Sequence, residues 1–176
     1  MTFEPRKAMR YSRGFTLIEW MVTISVLAIL LSIVVSSFTN LLLANRVQTA
    51  KTDVLVALQF ARSEAVKRGE KVHICQSANG NACGSATEWA KGWLVEAESG
   101  GVLRIWNSVP AGVTISGPAT TISFKADGTT DIKPTSSESD AGTDFAIAPS
   151  PCSGQTKYGV NINAVGRALT NKGTCQ

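Results

Sequence analysis

The sequence predicts an α+β protein in which one long N-terminal helix is followed by a head of short antiparallel strands. Three observations carry this prediction. No charged residue occurs from Trp20 through Asn45, and most of that stretch is apolar. The pattern then turns amphipathic as far as Gly69, and no proline interrupts the chain between Phe15 and Gly69. Beyond Gly69, short alternating segments are separated by turn dipeptides. A chain of 176 residues suffices for one modest domain and an appendage.

The first element is a basic leader, in which Arg6, Lys7, Arg10 and Arg13 outnumber Glu4. Gly14-Phe15-Thr16-Leu17-Ile18-Glu19 follows at the boundary between charged and apolar sequence. A glycine there, then Phe15, then a carboxylate inside the apolar stretch, reads as a processing site ahead of a membrane-resident helix with one deliberate charge. Losing residues 1–14 removes four cations and one anion, which lowers the formal net charge from +4 to about +1. The pI of 9.0 is therefore no argument for nucleic-acid binding.

The apolar run, with its flanks, reaches the roughly 20 residues that cross a bilayer. A secretory signal would have a shorter core and a small-x-small cleavage site behind it. Positive-inside orientation keeps the leader in the cytoplasm and puts the C-terminal bulk in the periplasm. Glu19 is the exception in this segment, since an intramembrane carboxylate costs about 2.5–3.5 kcal/mol on insertion scales. The expected division is a leader at 1–14, a transmembrane helix at 15–45, its amphipathic continuation at 46–69, and a β-rich periplasmic head at 70–176.

In the continuation, Val47, Ala50, Val54, Leu58, Ala61 and Ala65 recur at three- and four-residue spacing, and Leu55 and Phe60 broaden the stripe. Lys67-Arg68-Gly69 ends the helix with cations favourable to its dipole. In the head, strands are expected near 71–75, 92–96, 102–106, 121–124, 145–148, 158–163 and 167–169. Asn79-Gly80, Gly100-Gly101, 110–112, Gly117-Pro118 and Asp127-Gly128 punctuate them. Residues 127–144 read as a polar loop. Its Asp127, Asp131, Asp140 and Asp144 do not have the spacing of a calcium loop. Trp89, Trp93 and Trp106 are expected as packing residues.

The four cysteines, Cys75, Cys83, Cys152 and Cys175, all follow the apolar segment. An even number in an exported head points to two disulfides, with three pairings open. Cys75 with Cys83 and Cys152 with Cys175 is the simplest, because each closes a local loop. A zinc site is disfavoured, since there is no Cys-x-x-Cys and His73 is the only histidine. No nucleophile motif, metal cluster or phosphate loop is present, so no catalytic residue, cofactor or metal is assigned.

Gly14, Phe15 and Glu19 together resemble the N-terminal signature of type IV pilins and pilin-like proteins. Two inner stretches, 58–68 and 72–95 with its Cys75, Cys83, Trp89 and Trp93, resemble the GspH/FimT/FimU branch of minor pilins and pseudopilins. Trp20 and Ser36 depart from the usual pattern, which has an aliphatic residue and often a proline at those places. The resemblance implies a type IV pilin fold and a chain that is not an enzyme but a substrate. A prepilin peptidase and N-methyltransferase would cut after Gly14 and methylate Phe15. Glu19 would then face the new N-terminus of a neighbouring subunit.

The implied partners are that peptidase, other minor pilins or pseudopilins, the major pilin, the inner-membrane assembly platform and membrane lipid. The implied location is the inner membrane, single-pass, and then a pilus or pseudopilus. A minor pilin that primes a type IV pilus is the favoured function. The alternatives are a type II secretion pseudopilin of GspH type and a DNA-uptake minor pilin of FimT type. A membrane-anchored structural protein unrelated to pilins is the remaining class. DNA-binding FimT members resemble one another in a Gly-Arg-x-Arg motif. Here Gly166-Arg167-Ala168-Leu169 lacks the second arginine, which leaves only weak phosphate contact from Lys157, Arg167 and Lys172.

Overall fold

A computed structural model of the chain describes residues 14–84, 89–131 and 144–176, with backbone only at 33–37. Residues 1–13 of the leader, the segment 85–88 and most of the polar loop, including Asp140, lie outside the described residues. The chain divides into two compact units at Asn40/Leu41.

One helix, α1, runs without interruption from Leu17 to Arg68. Thr16 caps its start, its Oγ1 accepting the Glu19 N–H at 3.3 Å. Gly69 ends it with φ at 69°, a left-handed conformation that costs a glycine little, and its N–H donates to the Ala65 carbonyl. Glu64 accepts from Arg68 Nε at 2.8 Å and lies 3.6 Å from Lys67 Nζ, which ties the last turn.

Up to Asn40 the helix is a unit by itself, and its described apolar side chains are exposed. In the second unit, Val47, Ala50, Val54, Ala57, Leu58, Ala61 and Ala65 form a buried stripe. Four alanines among these seven let the sheets approach the helix backbone closely.

Eight strands follow among the described residues: β1 (Val72–Gln76), β2 (Gly92–Ala97), β3 (Val102–Asn107), β4 (Val113–Ser116), β5 (Ile122–Phe124), β6 (Phe145–Pro149), β7 (Thr156–Ile162) and β8 (Ala168–Thr174). They form two antiparallel four-stranded sheets, ordered β3-β2-β1-β5 and β4-β6-β7-β8. Both share one core with the helix stripe. Val72, Ile74, Trp93, Val95, Ile122 and Phe124 come from the first sheet, and Val113, Ile115, Phe145, Ile147, Val160 and Ile162 from the second. Trp89 packs edge-on to Phe145 at 4.8 Å while its Nε1 donates to the Pro118 carbonyl. Trp93 stacks on the half-buried Trp106. The three tryptophans therefore pack as expected.

Two elements differ from the sequence expectation. No strand was expected at β4, whose four residues sit between Pro110-Ala111-Gly112 and Gly117-Pro118 and look like part of a turn region. Their alternating burial shows a half-buried strand. β8 extends to Thr174, well beyond 169. It is an edge strand, so most of its residues are exposed and carry no apolar alternation to read.

Candidate functional site

The N-terminal segment is built from very local chemistry. Gly14 and Phe15 precede the helix, and Phe15 is 76% exposed. Thr16 is the N-cap and Glu19 sits three residues into the helix, the spacing of a capping box. Glu19 also lies in the first turn, where the helix dipole favours a negative charge. Thr16 was not singled out from the sequence, although Thr-x-x-Glu before an apolar run is a legible start signal.

Before and after Glu19 the helix exposes apolar groups on every side. Leu17, Ile18, Trp20, Met21, Val22 and Ile24 are all more than half exposed, and the series continues through Leu31. The hydroxyls within it are satisfied internally. Thr23 donates to the Trp20 carbonyl, Ser25 to Met21 and Ser32 to Ile29. No polar side chain on this stretch therefore obliges it to stay in water, apart from Glu19. A helix apolar all round is one that a membrane or other helices cover. Among the described residues no helix is long and apolar enough to cross a membrane.

In the head, the cysteines pair Cys75–Cys83 and Cys152–Cys175, with Cα separations of 5.5 and 5.2 Å. The first bridge closes the loop after β1. Inside that loop Ser77 Oγ donates to the Ala82 carbonyl and accepts the Gly80 N–H. The second joins residue 152, beyond β6, to the end of β8. His73 lies on β1, where its Nδ1 is 2.8 Å from Ser123 Oγ on β5.

The three cations considered for phosphate contact are not gathered. Lys157 pairs with Gly173 and Tyr158 with Lys172, so Lys157 and Lys172 leave opposite faces of β7 and β8. Arg167 is exposed in the turn between them, its N–H donating to Asn163 Oδ1 at 2.8 Å. Gly166 instead has a packing role. Its φ is 75°, and a Cβ there would lie 2.1 Å from the Gly128 carbonyl oxygen. That oxygen also accepts from Arg62 Nε at 3.0 Å. The turn, the Asp127-Gly128 turn and the helix thus meet at one point.

Of the acidic loop residues, Asp127 accepts from the Thr129 hydroxyl and N–H, which lowers its pKa. Asp131 is 2.8 Å from Lys125 Nζ, and that hydrogen bond lowers its pKa. Asp144 accepts from the Ile162 N–H, and burial raises its pKa. Their partners are protein groups, and the three serve three separate turns and strands.

Comparison with known proteins matches residues 51–166 to the family of type II transport protein GspH. The chain belongs to the GspH family. Residues 9–35 of this family member also match the prokaryotic N-terminal methylation motif. A pilin-like chain with that motif is a substrate of the prepilin peptidase, and membership implies a membrane-anchored pilin or pseudopilin that meets others of its kind in a filament. Among solved structures, the type IV minor pilin FimU of Pseudomonas aeruginosa PAO1 is similar in two crystal forms. One has a TM-score of 0.54 at 23% identity, covering 72% of this chain and 89% of that one. The other has a TM-score of 0.51 at 25% identity, covering 70% and 91%. No curated protein matches. The pilin fold, a helix packed on antiparallel sheet, is shared with these structures.

Proposed function

We propose that this GspH-family chain is a minor pilin that is cleaved after Gly14, held in the inner membrane by its N-terminal helix, and built into a type IV pilus, where it primes assembly with other minor pilins. The observation that carries this is the uncovered apolar helix with Glu19 in its first turn, directly behind Gly14 and Phe15 and inside the methylation motif. Cleavage makes Phe15 the N-terminus, and its ammonium is a cation of the right sign for the Glu19 of a neighbouring subunit. In a low-dielectric bundle such a pair favours one axial register over others.

Counting surface pili in a deletion strain, with the gene restored in trans, tests the role. Loss of pili that returns with the gene supports it, and normal piliation overturns it. Intact-mass analysis of the membrane-extracted protein tests the processing, since retention of residues 2–14 sinks the pilin reading altogether. Capping a secretion pseudopilus is the second proposal, favoured by the match to type II transport protein GspH. Normal pili with lost protein secretion in the same strain would select it. DNA uptake is not favoured, because Lys157 and Lys172 leave opposite faces.

A further inference from the structure

The outer face of the first sheet holds a carboxylate against a disulfide. Glu96 Oε1 lies 3.0 Å from Cys83 Sγ. A sulfur bonded in a disulfide carries no proton, so this contact is not a hydrogen bond but a negative charge set against the bridge. The two cysteines differ in exposure. Cys75 is 2% exposed, whereas Cys83 is exposed. Cys75 lies on β1, opposite the buried Leu94 of β2. Glu96 is half-buried on β2, opposite His73 of β1 and Val102 of β3.

We propose that Cys83 is the sulfur at which thiols attack the Cys75–Cys83 bridge and that Glu96 is the charge that guards it. An incoming thiolate from a small thiol or a dithiol oxidoreductase reaches Cys83 Sγ, because Cys75 Sγ is enclosed. Its sulfur forms a bond to Cys83 Sγ as the Cys83–Cys75 bond breaks, and the electron pair leaves on Cys75. The Cys75 thiolate then returns to Cys83 and expels the thiol, or it takes a proton from water. In the second case a further thiolate attacks the sulfur of the adduct. That step releases the oxidised disulfide of the reagent and leaves Cys83 as a thiolate, so the two electrons come from two reagent thiols.

Two features oppose the first step. The leaving Cys75 thiolate is formed in a buried site, which disfavours its charge. Glu96 repels the approaching anion. At about 5 Å in a water-like dielectric, like charges lower an encounter by a factor of about four, and salt screens the effect. Cys152, by contrast, is exposed on the other bridge, and no carboxylate contact to that bridge is found among the described residues. Among the described residues, the carboxylate contact thus distinguishes the first bridge from the second.

The test uses the full-length oxidised protein in detergent with glutathione as probe, at one fixed pH. Limiting glutathione followed by alkylation and peptide mass mapping is expected to find the adduct at Cys83 at least tenfold over Cys75. Comparable adducts on both, or an excess on Cys75, overturn the assignment of the exchange site. Glu96→Gln is expected to speed reduction of Cys75–Cys83 about fourfold at low salt, with the gain shrinking toward onefold near 1 M salt. The reduction rate of Cys152–Cys175 is expected to stay unchanged and reports that the head is folded. An unchanged rate in Glu96→Gln, or an increase that salt does not diminish, overturns the guarding role.

Discussion

Glu19 occupies the third position of a helix whose N-cap is Thr16, so its charge has two physical reasons to be there. One is local, since a Glu at this position has the spacing of a capping box and suits the dipole. The other is the proposed pairing with a neighbour's N-terminus. The substitutions separate them. Glu19→Ala is expected to leave processing intact and to cut incorporation into filaments, measured as the ratio of filament to membrane protein. Glu19→Gln keeps a capping side chain and drops the charge, so it fails in the same assay if pairing matters and succeeds if capping suffices. Gly14→Val is expected to block cleavage, read as the unprocessed mass, because a branched side chain crowds the peptidase pocket. Gly166 is a glycine for a different reason. Gly166→Ala adds a Cβ where φ is 75° and the Gly128 carbonyl is 2.1 Å away, and is expected to lower stability by at least about 2 kcal/mol in urea unfolding of the head.

The elements are held by complementary devices. The helix stripe of small and branched residues is matched by the inner faces of both sheets, and β3 shields its exposed edge with a cation. Arg104 lies 4.6 Å from the Trp106 ring centroid and 5.5 Å from that of Phe60. β8 has the weaker claim to order, since none of its residues is buried. The Cys152–Cys175 bridge ties its far end and closes a loop with a sequence separation of 23. Replacing both with serine is expected to lower stability by about 3 kcal/mol on the chain-entropy model, and hydrogen exchange is expected to rise in β8 before β6. Equal protection of β8 in the variant would show that pairing with β7 alone holds the strand.

For the whole molecule, pH acts through carboxylates shifted in opposite directions. Glu64, Asp127 and Asp131 have lowered values, caused first by hydrogen bonds from Arg68, Thr129 and Lys125 respectively. Their contributions are present above the ordinary carboxylate range and fade as pH falls through the lowered values. Asp53 and Asp144 are raised by burial, so folding favours their protonated forms and their effect runs the other way. Urea unfolding against pH is expected to show stability rising as pH falls toward 3.8 through the raised values of Asp53 and Asp144, and then dropping on further acidification. Asp144→Asn is expected to shrink the rising limb to the part that Asp53 contributes, and to keep the drop. A rising limb that survives unchanged in Asp144→Asn would assign it to another group.

The chemistry that local sequence can encode was legible. The helix stripe, its end at Gly69, most of the head strands and the cysteine loops follow from periodicity, turn residues and short separations, each of which acts between near neighbours. The signature around Gly14, Phe15 and Glu19 points to the pilin-like class for the same reason. What only the tertiary structure decided depends on residues far apart in the chain. β4 became a strand because β6 pairs with it, and β8 because β7 extends it. Register sent Lys157 and Lys172 to opposite faces and brought Glu96 to Cys83, and no pattern along a single strand states which residue of another strand it will meet. Gly166 was legible as a glycine but not as the point where two turns and a helix close on one carbonyl, because that contact exists only once all three are packed.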